Sequence, residues 1–248
     1  MMTLLRSALF LILVSLLTMF FGVLVSLAMI FPMSTRYAII AAWRRGFMAL
    51  GQYVLGIRYQ VIGRENMPAE PSVILSKHQS AWETVGLQEV FPPLVFVMKK
   101  SLLTIPFFGW GLAAMKMISI DRQAGKDALR QVVEQGRERL DAGFWVVIFP
   151  EGTRVAPGQK RRYKSGGAHL AVQTGARVVP VAHDAGEVWG KNAFLKSPGL
   201  ITVSIGPALD PAGKTESEIN TLAEAWIESE MHRLSPHRYP DVRDAVAV

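Results

Sequence analysis

The chain has 248 residues, of which 50% are hydrophobic and 19% are charged, and its formal net charge is +7. This length fits one α/β domain, or a domain of about 200 residues with an appendage. The absence of cysteine excludes a disulfide scaffold, a cysteine zinc site and a thiolate nucleophile, and the apolar content excludes a disordered chain. The surplus of positive charge fits nucleic acid, an anionic membrane surface or an acidic substrate.

The first long segment is apolar. From Ala8 to Phe31 the chain is almost continuously apolar, and no charged side chain stands between Arg6 and Arg36. At about 1.5 Å per residue, a helix of this length crosses a hydrocarbon core of ~30 Å. The segment is longer than the apolar part of a signal peptide, and it runs into Phe31-Pro32-Met33 instead of a small-residue cleavage site. We therefore expect a retained membrane anchor.

The next apolar segment, Tyr37 to Ile57, differs because Arg44 and Arg45 stand in its middle, beside Trp43 and Phe47. Arginine is costly at the centre of a bilayer and favourable at its anionic surface, so this pattern predicts an amphipathic helix in the headgroup layer. An ordinary helix packed on the following domain fits the same pattern. Both interpretations stay open from the sequence.

The distribution of arginine predicts the orientation of the chain. Arg6 alone precedes the apolar run, whereas four arginines follow it: Arg36, Arg44, Arg45 and Arg58. The positive-inside rule therefore places the bulk of the chain on the cytoplasmic face of the inner (cytoplasmic) membrane. Residues 1–57 are expected to form the anchor, and the first helix either spans the bilayer or dips into one leaflet.

Beyond Ile57, short strands alternate with helices. The candidate strands, rich in Val and Ile and bounded by Gly, Pro or polar residues, are Arg58–Ile62, Ser72–Ser76, Leu94–Met98, Met117–Ile120, Trp145–Phe149, Val178–Ala182 and Leu200–Ile205. The candidate helices are Ala81–Val90, Lys126–Asp141, Gly167–Gln173 and Thr215–Leu234. This alternation predicts an α/β domain over 58–235, with a mixed, largely parallel sheet flanked by helices. Residues 236–248 have little periodicity and are expected to form a loose tail.

A histidine follows the second candidate strand. His78 leaves this strand, and Glu83 stands five positions later, at the start of a predicted helix. On one regular helix the two side chains would point about 140° apart, so a useful contact needs His78 in the loop. Glu83 could then accept one imidazole N–H and leave the other ring nitrogen to act as a general base. A surface histidine and a glutamate favoured by the helix dipole fit equally well for this pair alone.

Two arginines follow other strands. Arg122 comes after the strand that ends at Ile120, and Arg154 closes the segment Pro150-Glu151-Gly152-Thr153-Arg154. Arginine suits a planar, bidentate grip on phosphate, and a glycine lets the backbone approach a ligand. Functional groups of α/β sheets gather at the carboxyl ends of the strands, so these arginines and His78 form a candidate site. Pro180 interrupts a buried-looking strand, which usually marks an edge or a bulge.

These residues are similar to a known family. In order and spacing, four stretches resemble the four conserved blocks of the glycerolipid acyltransferases: HQSAWE, ISIDR, FPEGTR and VVPVA. The resemblance runs from about Ser72 to about Pro207, and FPEGTR is its most specific part. The chain departs from the family at Glu83, because the family usually carries aspartate there. The longer side chain keeps the orienting role chemically available but changes the fine geometry.

The resemblance implies roles for individual residues. It makes His78 the base and Glu83 its partner, and it makes Pro180 part of the acyl region. The stretch that begins at Met98 is similar to a family segment with a phosphate-contacting lysine, for which Lys99 is our choice. Binding of the glycerol phosphate is implied for the following residues: Arg122, Glu151, Gly152 and Arg154.

The expected reaction is direct transfer of an acyl group from acyl-CoA or acyl carrier protein to lysophosphatidic acid, at a membrane. With no cysteine and no Gly-x-Ser-x-Gly elbow, nothing in the sequence indicates an acyl-enzyme. No cofactor and no metal are expected, since His183, Asp184 and Glu187 fit an ordinary loop better than a metal site. No nucleic-acid-binding motif accompanies the positive charge, so a nucleic-acid partner is not expected.

Alternatives remain within and outside this reaction class. The same chemistry on glycerol-3-phosphate or on another lysophospholipid fits the sequence, and so does a membrane lipid-binding protein without catalysis. The basic run Lys160-Arg161-Arg162 with Lys164 fits a solvated or lipid-facing loop, and it also fits a surface for an acidic carrier protein or the phosphates of CoA.

Overall fold

The computed structural model describes residues 1–121 and 125–239, with only the backbone of Lys126. Two sequence predictions therefore lie outside the described residues: the phosphate-binding role of Arg122 and most of the tail, 240–248. All statements below concern the described parts of the chain.

A seven-stranded sheet forms the centre of the domain, with the strand order β1-β7-β6-β2-β5-β3-β4. The run from β6 to β4 is parallel, and β1 and β7 are parallel to each other but antiparallel to β6. The strands are β1 (Ile57–Ile62), β2 (Val73–Ser76), β3 (Leu94–Lys99), β4 (Ile118–Ile120), β5 (Trp145–Ile148), β6 (Val178–His183) and β7 (Gly199–Ile205). The predicted mixed, largely parallel sheet is confirmed.

Helices flank the sheet, and two long helices precede its first strand in the chain. The helices are α1 (Met2–Leu27), α2 (Met33–Leu50), α3 (Glu83–Val90), α4 (Phe108–Ala114), α5 (Lys126–Asp141), α6 (Gly166–Thr174), α7 (Ala185–Val188) and α8 (Glu216–Leu234). A π-helical turn (Gly51–Leu55) and three 3-10 turns (Ala28–Ile30, Arg64–Asn66 and Lys100–Thr104) complete the helical elements. Helices α4 and α7 were not predicted, because helices this short lack a periodic apolar pattern.

The predicted strands and domain helices are all present, with ends within one or two residues of the prediction. The central strands β2 and β5 are buried along their whole length, as expected for parallel strands covered on both faces. At its start, α8 carries a capping box in which Thr215 and Glu218 satisfy each other's backbone N–H groups. The local sequence pattern is therefore sufficient to predict these strands and helices.

The N-terminal helix is mostly exposed. Met2–Ile30 is the one stretch in the described ranges long and apolar enough to cross a membrane, with a mean hydropathy of 2.8 and 17% of its most apolar window buried. Such a surface suits membrane association, since contiguous apolar area of this size is rarely left in water.

The second helix packs on the domain that contains the sheet. On α2, the Arg44 side chain is 15% exposed and forms an ion pair with Glu89 of α3 at 2.6 Å. Arg36 donates a hydrogen bond to the carbonyl of Ala114 at 3.0 Å. Arg45 is exposed. Of the two interpretations left open by the sequence, these contacts favour the packed helix, because Arg44 is satisfied by protein rather than by headgroups.

Pro180 does not lie at a sheet edge. It is buried in β6, between β2 and β7, so the edge interpretation is wrong. The Pro180 carbonyl accepts the N–H of Gly206, while the β7 ladder begins only at Val181 and Ile205. The missing N–H of Pro180 faces the irregular chain after β7, so this strand tolerates proline where a continuous ladder would not.

The first residues of the expected tail are ordered against the domain. Tyr239 is buried, and its hydroxyl accepts a hydrogen bond from Gln79 at 3.3 Å. Arg238 forms an ion pair with Glu187 at 3.2 Å. Residues 236–239 therefore continue the domain, because an aromatic ring and a charge find partners there that local periodicity does not reveal.

A glycine substitution tests the docking of α1. A Cβ atom at Gly22 would lie 2.8 Å from the Cβ and the backbone oxygen of Phe107, whereas a Cβ at Gly51 would meet nothing within 4 Å. Gly22→Ala should destabilise the protein by about 1–3 kcal/mol through overpacking. Gly51→Ala should stabilise it by about 0.4–1 kcal/mol, because the unfolded chain loses freedom.

The measurement is the apparent melting temperature of the detergent-solubilised protein. The expected result is a fall for Gly22→Ala and no fall for Gly51→Ala. An unchanged melting temperature for Gly22→Ala would contradict the close approach of α1 to Phe107.

Candidate active site

The candidate site lies where parallel strands end. Because β2, β3 and β5 are parallel neighbours, their carboxyl ends meet at one edge of the sheet. His78 follows β2, Lys99 ends β3, and Arg154 lies in the segment after β5. All three side chains line one cavity of about 390 Å³. The structure thus brings together residues that are up to 76 positions apart in the numbering from His78 to Arg154.

His78 and Glu83 are in direct contact. His78 lies in the loop before α3, and its Nδ1 is 2.7 Å from Oε1 of Glu83, the first residue of that helix. The imidazole stacks on the ring of Phe149, with centroids 3.9 Å apart and an interplanar angle of 12°. With Nδ1 held by the carboxylate, Nε2 is the ring nitrogen that remains for a substrate.

Glu83 is a buried carboxylate satisfied by its own loop. Its side chain is 0% exposed, and it accepts the backbone N–H groups of Gln79 at 3.0 Å and Ser80 at 2.9 Å. Burial by itself would raise the pKa of Glu83, but the nearby His183, the contact with His78 and the N–H of Ser80 outweigh it and lower that pKa. Glu83 therefore stays ionised beneath the imidazole.

The rest of the cavity lining combines apolar and cationic side chains. Helices α1, α2 and α4 and strand β3 supply an apolar wall that includes Phe21, Ile40, Phe96, Phe108 and Leu112. Cationic side chains also line it: Lys99, Arg154 and Lys191. Such a cavity suits a ligand with an apolar chain and an anionic head.

Gly152 and Arg154, in the segment after β5, both line the cavity. The Nε–H of Arg154 donates to the Ser80 carbonyl at 2.8 Å, which ties the segment after β5 to the loop that carries His78. Gly152 has a φ of +71°, and a Cβ there would lie 3.2 Å from the Lys164 side chain. The backbone conformation therefore favours glycine here, whereas the flexible end of Lys164 could move aside for a Cβ atom.

Besides Glu83, two residues of the expected set lie outside the cavity lining. Pro180 is buried in β6 and is not among the residues that line the cavity. Glu151 points beneath the site, where Oε2 accepts the backbone N–H of His78 at 2.7 Å and Oε1 pairs with Lys77 at 2.7 Å. Burial raises the pKa of Glu151 to about 7 despite the Lys77 ammonium. The geometry gives Glu151 a place under the histidine rather than against a substrate.

Sequence reasoning missed several residues of the site. Phe149 is the first residue of FPEGTR and Lys77 precedes HQSAWE, but their contacts with His78 and with Glu151 depend on how strands pair. Lys191 and Asn192 line the cavity from the loop after α7, and no motif marks them. The one available signal was the position of Phe149 immediately before Pro150-Glu151-Gly152.

The histidine that ends β6 and the aspartate that follows it each have a protein partner. His183 is fully buried, and its Nε2 lies 2.8 Å from the carbonyl of Lys77. Its Nδ1 lies 3.4 Å from the backbone N of Ala185. Burial lowers the pKa of His183, against the opposing charge of Glu83. Asp184 accepts the N–H of Thr202 at 2.8 Å, so these side chains brace the chain beside the site.

Comparison with known proteins identifies the family. The sequence profile of the family described as Acyltransferase matches residues 58–184. Over 236 residues the chain is 47% identical to the 1-acyl-sn-glycerol-3-phosphate acyltransferase of Pseudomonas aeruginosa, which covers 93% of this chain and 92% of that protein. The chain belongs to the acyltransferase family.

Other members of the acyltransferase family support the same assignment. The chain is 32% identical over 178 residues to 1-acyl-sn-glycerol-3-phosphate acyltransferase alpha of Mus musculus, covering 70% of this chain and 62% of that one. The crystal structure of the 1-acyl-sn-glycerophosphate (LPA) acyltransferase PlsC from Thermotoga maritima has the same fold. Its TM-score is 0.79 at 23% identity, covering 94% of this chain and 96% of that chain.

The half-buried Asp184 predicts a pH dependence of stability. Burial raises its pKa from 3.8 to about 6, against the opposing N–H of Thr202. A folded-state pKa above the unfolded one means that the contribution of Asp184 to stability is complete below 3.8 and is lost as pH rises through about 6. Asp184→Asn cannot ionise, and its amide oxygen can still accept the N–H of Thr202.

The melting temperature of Asp184→Asn relative to the parent should therefore be higher at pH 7.5 than at pH 4.5. The control is Asp210→Asn, since Asp210 also accepts a backbone N–H, from Ala212 at 2.8 Å, but is exposed. An equal difference at both pH values for Asp184→Asn would contradict its burial as a charged group.

Proposed function

We propose that this acyltransferase moves an acyl group from an acyl thioester to the free hydroxyl of 1-acylglycerol-3-phosphate, giving phosphatidic acid, with His78 as general base. The donor is an acyl thioester of CoA or of acyl carrier protein. The observation that carries the proposal is the contact of His78 with Glu83 at 2.7 Å, because His78 lines a cavity that combines apolar side chains with Lys99 and Arg154. The names of the relatives from Pseudomonas aeruginosa and Mus musculus support the choice of acceptor.

In the proposed reaction, Nε2 of His78 removes the proton from the acceptor hydroxyl as that oxygen attacks the thioester carbonyl carbon. A C–O bond forms, and the carbonyl oxygen takes the negative charge of a tetrahedral intermediate. The intermediate collapses, the C–S bond breaks, and the leaving thiolate takes the proton from the imidazolium. Free thiol and phosphatidic acid leave, and His78 returns to its neutral form.

Glu83 orients and stabilises the base. An ionised carboxylate at Nδ1 keeps the proton on that nitrogen, so that Nε2 faces the substrate unprotonated. It also stabilises the imidazolium that forms during the attack. Stacking on Phe149 limits rotation of the ring, and the backbone donors of the loop hold the carboxylate in place.

Lys99 and Arg154 bind the phosphate of the acceptor in this proposal. Both line the cavity that contains His78, and Arg154 is braced by Ser80 two residues from the base. A guanidinium offers paired donors to phosphate, while an ammonium acts as a point charge. The apolar wall formed by α1, α2 and α4 receives acyl chain, which favours a lipid acceptor over glycerol-3-phosphate.

The membrane position follows from the same surfaces. The exposed apolar helix α1 contributes Phe21 and Gly22 to the wall of the cavity, so a chain that lies in the bilayer can enter beside it. We place the domain on the cytoplasmic face, because the arginines after the apolar run outnumber the single Arg6 before it.

Removal of the base tests the reaction. His78→Ala should lower kcat by about 10²–10⁴-fold, because a positioned base typically contributes that much. Glu83→Gln should also lower kcat, because the amide cannot accept from every donor of the loop and carries no charge to stabilise an imidazolium. The measurement is release of free thiol from a labelled acyl thioester by purified enzyme in detergent.

His169 provides the matched control for this experiment. It also pairs with a glutamate, Glu216, at 2.6 Å, but it does not line the cavity, so His169→Ala should keep kcat near the parent value. Near-normal turnover in His78→Ala, with the fold intact by circular dichroism, would contradict the role of His78 as general base.

The phosphate site is tested by substrate preference. Arg154→Ala should raise the KM for 1-acylglycerol-3-phosphate by about tenfold or more, since a charge-assisted hydrogen bond contributes about 1.5–3 kcal/mol. The same change should alter turnover of monoacylglycerol, which has no phosphate, far less. Arg130→Ala is the control, because Arg130 is 68% exposed on α5 and does not line the cavity. Equal effects of Arg154→Ala on both acceptors would remove Arg154 from the phosphate site.

A further inference from the structure

A lysine is fully buried directly before the proposed base. The Lys77 side chain is 0% exposed, and its ammonium lies 2.7 Å from Glu151 and 2.8 Å from Glu228. Burial disfavours its charged form, but the two carboxylates outweigh burial and raise the pKa of Lys77. One ammonium is thus shared by two carboxylates beneath the candidate site.

This cluster is joined to the backbone of His78. Glu151 uses Oε1 for Lys77 and Oε2 for the N–H of His78, the latter at 2.7 Å. On the other side of the same peptide bond, the Lys77 carbonyl is 2.8 Å from Nε2 of His183. The His78 carbonyl accepts the N–H of Val155 at 2.7 Å. The peptide that carries the base is therefore held at each polar atom by groups from other elements.

The far end of the cluster belongs to α8. Glu228 lies on this helix, accepts from Lys77, and also accepts the Tyr163 hydroxyl at 2.8 Å. Helix α8 begins at Glu216, beyond the region 58–184 that the family profile matches. A continuous chain of contacts therefore runs from α8 through Lys77 and Glu151 to the N–H of His78.

A gain in folding stability does not by itself explain the buried cluster of Lys77, Glu151 and Glu228. A buried ion pair loses much of its Coulomb attraction to desolvation, and apolar residues of similar volume often stabilise a fold at least as well. What a charged, hydrogen-bonded cluster does supply is a fixed geometry. The imidazole of His78 needs such geometry, because it must meet Glu83 at one ring nitrogen and a substrate at the other.

We propose that Lys77 and Glu228 are positioning residues, through which α8 fixes Glu151 and thereby the backbone register of His78. Neither residue touches substrate. Both act on the turnover of bound substrate, because a base displaced by a fraction of an ångström still leaves the phosphate and acyl surfaces intact. The inference rests on the proposed function of His78 as the base.

Glu228 and Glu230 form a matched pair for the test. Both lie on α8, with side chains 11% and 14% exposed. Glu230 accepts from Ser204 of β7 at 2.5 Å, so each glutamate ties α8 to another element. Only Glu228 is connected to His78. Loss of either carboxylate should affect the stability of the helix contact, but only one should affect the base.

The expected result is a split between kcat and KM. Glu228→Leu should lower kcat by about 10- to 100-fold, a size typical of small misplacements of a catalytic group, with both substrate KM values within twofold of the parent. Glu228→Gln should restore kcat, because its amide oxygen can still accept from Lys77 and Tyr163. Glu230→Leu should leave kcat per folded molecule unchanged. Tyr163→Phe removes one hydrogen bond without stranding a charge, and it should lower kcat by a smaller factor.

Three results would overturn the inference: kcat per folded molecule within twofold of the parent in Glu228→Leu, an equal loss in Glu230→Leu, or no recovery in Glu228→Gln. If Glu228→Leu does not fold, Tyr163→Phe decides, and an unchanged kcat there would also overturn it. His78→Ala, assayed in parallel, separates the two proposals. Activity in His78→Ala contradicts the base itself, whereas inactive His78→Ala beside fully active Glu228→Leu contradicts only the positioning role.

Discussion

A buried carboxylate must be surrounded by donors, and Glu83 imposes this constraint on the whole candidate site. Its side chain is not exposed to solvent. Backbone N–H groups of the loop between β2 and α3 and the His78 ring therefore point toward it. The desolvated charge is acceptable only in that arrangement. The orientation of the histidine is thus a consequence of satisfying Glu83. The helix N-terminus at Glu83 also favours the negative charge.

A second charged layer lies beneath the first. Glu151, Lys77 and Glu228 connect the backbone under His78 to α8, while Arg154 connects the segment after β5 to Ser80 above it. Helices α1 and α2 also line the cavity, so the apolar N-terminal helix is part of the candidate site.

Much of the fold was predictable because its signals are local. Strands such as Trp145–Ile148 are short apolar runs between polar residues, and α5 repeats its apolar residues at helical spacing. The positions of His78 and Arg154 were also predictable, since the carboxyl ends of neighbouring parallel strands lie at one edge of the sheet. The burial of Pro180 within the sheet was not predictable. It depends on where β7 ends beside it, and that is a property of the pairing.

The sequence by itself determined the succession of strands and helices along the chain, the apolar N-terminal segment, and the candidate pair His78 and Glu83, because each is encoded by neighbouring residues. Only the tertiary structure decided which partner each charged group contacts. Glu151 lies under His78, Arg44 pairs with Glu89 of α3, and Lys77 meets Glu228, a residue 151 positions away. A buried charge takes whichever partner folding brings within about 3 Å, and spacing along the chain carries no record of that partner.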